Sequence, residues 1–117
     1  MIERYSRKGI KAIWEDYNKY SIWLDIELAA AEAMEKLEVI PKGTVKKIKP
    51  KAKINVKRIL QIEDKVKHDV IAFLTSITEK AGKEARHLHK GMTSSDVLDT
   101  CFNLQLKQSG EILVKDI

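Results

Sequence analysis

Apolar residues in this chain recur every three or four positions in nearly every segment long enough to show a period, and that spacing points to an all-helical fold. Over residues 7–37, Ile10, Ile13, Trp14, Tyr17, Trp23, Leu24, Leu28, Ala31 and Met34 keep helical spacing, with charged residues between them. The run is long enough for two helices, with Ser6 as the first N-cap and a break expected at 16–18. Ile40-Pro41-Lys42-Gly43 reads as a turn, and Pro50 leaves room for only a short helix between them. Asn55 offers an N-cap for a helix over 56–67, where Glu63 and Lys67 form a favourable i,i+4 pair. Val66, Val70, Phe73 and Ile77 continue the period, which carries helix through His68 and Asp69 until Gly82 ends it.

The last helix is expected to begin near Ser94. Its apolar residues, among them Val97, Leu98, Cys101, Phe102, Leu106, Leu113 and Val114, spread over more than one face, so it needs neighbours on several sides. Neither a C-cap glycine nor a proline closes it, and the apolar pattern resumes after Gly110, so the chain reads as cut through a helix that continues. With 117 residues, 44% of them apolar and 33% charged, the chain suffices for one domain with a modest core. It has no apolar run of membrane-spanning length and no signal-peptide core. Its single cysteine, Cys101, falls on an apolar stripe, which suits a buried, inert thiol in a reducing cytoplasm.

Chemistry concentrates in residues 87–100, a polar, glycine-punctuated loop that runs directly into the last helix. Thr93 or Ser94 is a good N-cap, Asp96 sits in the first turn, and the free backbone N–H groups there suit a carboxylate or phosphate. Hydroxyls, a helix N-terminus and the nearby His87 and His89 would also stabilise charge developing on a carboxylate. Taken alone, the same residues read more readily as an ordinary capped helix. His87-x-His89 has the form of a metal pair, but no third ligand stands at a recognisable spacing, and no metal is expected.

The net charge of +5 raises a nucleic-acid reading, because Lys42, Lys46, Lys47, Lys49, Lys51, Lys53, Lys57 and Arg58 crowd one stretch. No aromatic residue is interleaved with them, so a solvated lysine face is the preferred meaning. Such a face would still attract an anionic substrate over long range, less so in salt.

Three separated segments resemble the adenylosuccinate lyase family of the fumarase/aspartase superfamily, in the same order. Ile2-Glu3-Arg4-Tyr5-Ser6 is similar to the family's opening "RYS" signature. Lys67-His68-Asp69-Val70 with Ala72-Phe73 is similar to its "(K/R/T)HDVxAF" segment. His89-x-Gly91-x-Thr93-Ser94-x-Asp96-x-x-Asp99-Thr100 is similar to its "HxGxTSxDxxDT" loop.

The resemblance implies an all-α fold, with residues 1–93 as the N-terminal helical domain and 94–117 as the start of the long helix leading into a central bundle. It implies cofactor-free β-elimination of fumarate from adenylosuccinate, giving AMP, and from succinylaminoimidazole carboxamide ribotide in purine biosynthesis. Arg4 and Tyr5 would bind near the substrate phosphate, Lys67, His68 and Asp69 would form a second contact segment, and Thr93 and Ser94 would hold a succinyl carboxylate. His68 would orient substrate or support the acid, with Asp69 fixing its tautomer, and His89 matches a position close to the site. In the family the site is assembled from three subunits of a homotetramer. The family's general-acid histidine and mobile serine loop fall beyond residue 117, so these residues alone are expected to be inactive. Other readings are a sister lyase or cycloisomerase of the superfamily, a basic nucleic-acid-binding module, and a helical domain that serves only oligomerisation.

Overall fold

The computed structural model describes residues 1–117 and contains helices and connecting turns, with no strand. The helices are α1 (Lys8–Ile13), α2 (Asp16–Lys36), α3 (Thr44–Ile48), α4 (Val56–Val66), α5 (Asp69–Ala81) and α6 (Ser94–Asp116), with 3-10 turns at Glu3–Tyr5 and Lys83–His87. No helix is long and apolar enough to cross a membrane.

Helix α2 is the centre of the fold. Tyr20, Trp23, Glu27 and Ala31 form one buried stripe at i, i+3, i+7 and i+11. Tyr20 and Trp23 meet Phe73 of α5 in a three-ring cluster, with Trp23 edge-on to Phe73 at 5.5 Å and Tyr20 stacked on it at 6.1 Å. Edge-on and offset rings avoid opposing quadrupoles, which adds about 0.5–1.5 kcal/mol per pair beyond burial. Helix α4 closes this core with Ile59 and Ile62.

Helix α6 lies antiparallel to both α1 and α2. Asn18 Nδ2 donates to Gln108 Oε1 at 3.0 Å, and Trp14 Nε1 donates to Ser109 Oγ at 3.1 Å. Buried Gln105 donates to the Ile13 carbonyl at 3.0 Å, satisfying an acceptor left open where α1 ends. Only Val97, Cys101 and Gln105 of α6 are buried, while Phe102, Leu106, Leu113 and Val114 remain exposed. Burial pushes the Cys101 thiol above its ordinary range, in keeping with an inert residue.

The turn at Pro41, the short helix before Pro50, the Asn55 N-cap and the stop at Gly82 all stand as expected. Asn55 Oδ1 accepts from the Arg58 N–H at 3.0 Å. The carboxylate of Glu35 accepts from the Gly43 and Val45 N–H groups at 3.3 and 2.6 Å, tying the start of α3 to α2.

Four local expectations are corrected. Ser6 does not cap α1: its hydroxyl donates to the Ile2 carbonyl, and the N-cap is Arg7. The first break falls at Trp14 and Glu15, and Asn18 lies inside α2, where it donates to the open Ile13 carbonyl at 2.8 Å. Helix does not run through the His-Asp segment: Lys67 is left-handed at φ 54° and His68 is extended, so α4 and α5 are separate helices. That turn also carries the Lys67 ammonium away from Glu63 and onto Asp64, at 3.1 Å.

Candidate functional site

The loop before α6 is held from inside the protein. His89 and Gly91 both take left-handed backbone, φ 62° and 71°, which reverses the chain between the Lys83–His87 turn and α6. A histidine pays for that conformation where a glycine does not, so something must hold it. The holder is Glu27, fully buried on the central stripe of α2. Its Oε2 accepts from the His89 backbone N–H at 2.8 Å, and its Oε1 lies 2.6 Å from His89 Nδ1. An ionised carboxylate is acceptor-only, so against it Nδ1 is the donor, and Nε2 makes no hydrogen bond within the chain. His87 does not join His89: its Nε2 sits 3.5 Å from Nε of Arg86.

Thr93 is the N-cap of α6, and the Asp96 carboxylate accepts from its backbone N–H at 2.8 Å, as in a capping box. The N–H groups of Ser94 and Ser95, in the first turn of a 23-residue helix, are left without backbone partners. The capped-helix reading holds, and the cap engages the Thr93 and Asp96 N–H groups while leaving those of Ser94 and Ser95 free.

His68 is built differently. As N-cap of α5 its Nδ1 accepts from the Ile71 N–H at 3.2 Å, so that nitrogen is unprotonated and the neutral ring carries its proton on Nε2. Asp69 therefore does not set this tautomer. Its Oδ1 is 3.8 Å from His68 Nδ1 and accepts from the Val70 N–H at 2.7 Å. Asp64, four residues before His68, pairs with Lys67 rather than with the ring. The two histidines thus use Nδ1 in opposite ways: at His68 it accepts from a backbone N–H, and at His89 it faces a buried carboxylate.

Arg4 and Tyr5 form a stacked pair, with the guanidinium carbon 4.8 Å from the ring centroid. They lie in an exposed turn, which Glu3 ties to Lys11 of α1. The hydrogen bond between these two side chains lowers the Glu3 carboxyl and raises the Lys11 ammonium from their ordinary values. Arg7 pairs with Asp116, and the backbone at Gly9 approaches Ile112, so the N-terminal segment packs toward the C-terminal end of α6. Thr93 and Ser94 stand at the other end, roughly 33 Å away along the helix at 1.5 Å per residue. The fold does not gather all the sequence-identified residues onto one surface.

Glu27 is the residue that sequence reasoning missed. The signal was a single acid in the middle of the buried stripe Tyr20, Trp23, Ala31. A charge in such a place needs a partner, and the periodicity alone did not say which.

No family profile matches the chain. All 117 residues align with adenylosuccinate lyase of Bacillus subtilis (strain 168) at 46% identity, and the chain spans 27% of that relative's length. Its fold is similar to the crystal structure of a fumarate lyase from Mesorhizobium sp. BNC1, with a TM-score of 0.76 over 88% of this chain and 26% of that one. Identity there is 22%, which speaks to the fold.

Proposed function

We infer that this chain belongs to the adenylosuccinate lyase family of the fumarase/aspartase superfamily and forms the N-terminal part of a carbon–nitrogen lyase. The observation that carries the reading is 46% identity over an alignment that spans all 117 residues of the chain. The reaction is β-elimination: a base removes the proton next to a carboxylate, a dianionic intermediate forms, and an acid protonates the departing nitrogen. The substrates are the succinylated purine nucleotides adenylosuccinate and succinylaminoimidazole carboxamide ribotide, and the shared product is fumarate.

Each segment has a task suited to its chemistry. Thr93 and Ser94, with the free N–H groups of the first turn of α6, hold a substrate carboxylate and take up the charge that grows on it. His68 offers an Nε2–H donor beside Lys67 and Asp69, which complete the second contact segment. The Arg4–Tyr5 stack supplies a planar multi-donor group and a hydroxyl for the phosphate end. Placement of Arg4 and Ser94 toward opposite ends of α6 favours a site completed by other copies in a homotetramer. The exposed apolar face of α6 is the surface such copies or a central bundle would cover, with the domain boundary at residues 93 and 94. The enzyme acts in the cytoplasm without a cofactor.

Two proteins test this. The complete protein that contains this segment should convert adenylosuccinate to fumarate and AMP, and the isolated 117-residue chain should not. Fumarate release by the isolated chain would overturn the division of labour, and a complete, folded protein that releases none would overturn the function.

A further inference from the structure

We propose that Glu27 is a positioning residue for the lyase reaction: it fixes the His89 ring with Nδ1–H directed inward, so that Nε2 is the atom presented to the substrate. The catalytic half of this inference rests on the functional reading above; the contact itself does not.

Three observations converge. First, Glu27 is fully buried, and both of its oxygens are used on one residue 62 positions away in the chain. A carboxylate placed there only to hold the loop would need just the backbone N–H. The second bond adds nothing to the chain path and specifies the ring. Second, His89 has left-handed backbone, which brings its own N–H and its ring nitrogen to the same carboxylate. Third, the ring is not enclosed: the His89 side chain keeps 19% of its surface exposed. The only buried side-chain polar atom without a partner is Trp23 Nε1, so His89 Nε2 reaches the surface. A ring whose inner nitrogen is locked by a buried acid and whose outer nitrogen is free has the build of an oriented functional histidine. It stands four residues before Thr93, on the loop that leads to the proposed carboxylate site.

Substitution by glutamine tests the assignment, because it keeps size and changes hydrogen-bond character. In Glu27→Gln the amide oxygen can still accept the His89 N–H, while the amide nitrogen, a donor, faces Nδ1. The ring must then carry its proton on Nε2, the opposite neutral tautomer. The chain has three histidines, so 15N-histidine NMR resolves them individually. The wild-type chain should show a protonated Nδ1 at His89, and Glu27→Gln should show the neutral ring protonated at Nε2. In the complete enzyme, Glu27→Gln should lower kcat/KM by about tenfold or more, as wrong-tautomer substitutions do. The double variant Glu27→Gln/His89→Gln should be no worse than His89→Gln alone, within the error of additivity.

An unprotonated Nδ1 in the wild-type spectrum overturns the contact, and this reading needs no variant to fold. Unchanged kinetics in Glu27→Gln, or fully additive losses in the double variant, overturn the positioning role. If Glu27→Gln unfolds, Glu27→Asp keeps the carboxylate on a shorter arm, and loss of the Nδ1 proton with kcat/KM unchanged would equally contradict the proposal. A wild-type enzyme that releases no fumarate defeats the functional reading and the catalytic role together, while the wild-type spectrum still judges the contact.

Discussion

The loop around His89 and the segment around Arg4 both match substrate-binding motifs, yet they are built in opposite ways. The loop is anchored from below by a buried carboxylate, by Leu88 in the core and by Val97 on the first turn of α6. The Arg4 segment has no buried residue from its 3-10 turn through α1, and it is held by ion pairs at the surface. Buried anchors lose their contacts only when the core opens, whereas exposed ion pairs contribute little and weaken with salt. The His89 loop therefore carries its own scaffold, and the Arg4 segment depends on what packs against it.

The strongest way to break this contrast is to remove the floor of the anchored half. Phe73→Ala empties the centre of the ring cluster beneath α2 and should cost about 3–5 kcal/mol in denaturant unfolding. A loss under about 1 kcal/mol, within the range of ordinary surface substitutions, would show that the cluster does not support the loop. Next comes Ser94→Ala in the complete enzyme, which should raise the barrier by about 2–4 kcal/mol through loss of a carboxylate donor. Steady-state kinetics near wild type would remove Ser94 from the site.

A smaller effect comes from Tyr20. Burial pushes its hydroxyl up to about 12, so the folded state keeps the proton after the unfolded chain has lost it. Folded stability should therefore hold below about pH 10, the ordinary tyrosine value, and fall as pH rises toward about 12. Urea midpoints across that window check the sign, and a rise would contradict burial of the ring. The smallest effect belongs to the exposed half. Lys11→Ala removes the Glu3 ion pair and should leave Tm unchanged within error, while proteolysis of residues 1–6 speeds up. A clear fall in Tm would place the N-terminal segment within the cooperative fold after all.

Much of this arrangement is legible in the chain, for identifiable reasons. Caps and stops such as Asn55, Gly82 and Thr93 act within four residues of themselves, so local sequence carries them. The break at Lys67 was hidden because one left-handed residue leaves the apolar period of Val70, Phe73 and Ile77 undisturbed on its far side. His68 then serves as an N-cap through a ring nitrogen, outside the usual set of Ser, Thr, Asp and Asn. The Glu27–His89 contact was hidden for another reason: it joins residues 62 apart, and periodicity reports which face is buried but not what meets there. The motif residues themselves were found through resemblance, whereas their tautomers and anchors required the fold.

The most direct test of the account is fumarate production from adenylosuccinate by the complete protein that contains this segment, measured without added cofactor. Fumarate and AMP should appear in equal amounts, with the rate greatly reduced by Ser94→Ala. A folded protein that releases no fumarate, or one whose rate is indifferent to Ser94, would contradict it.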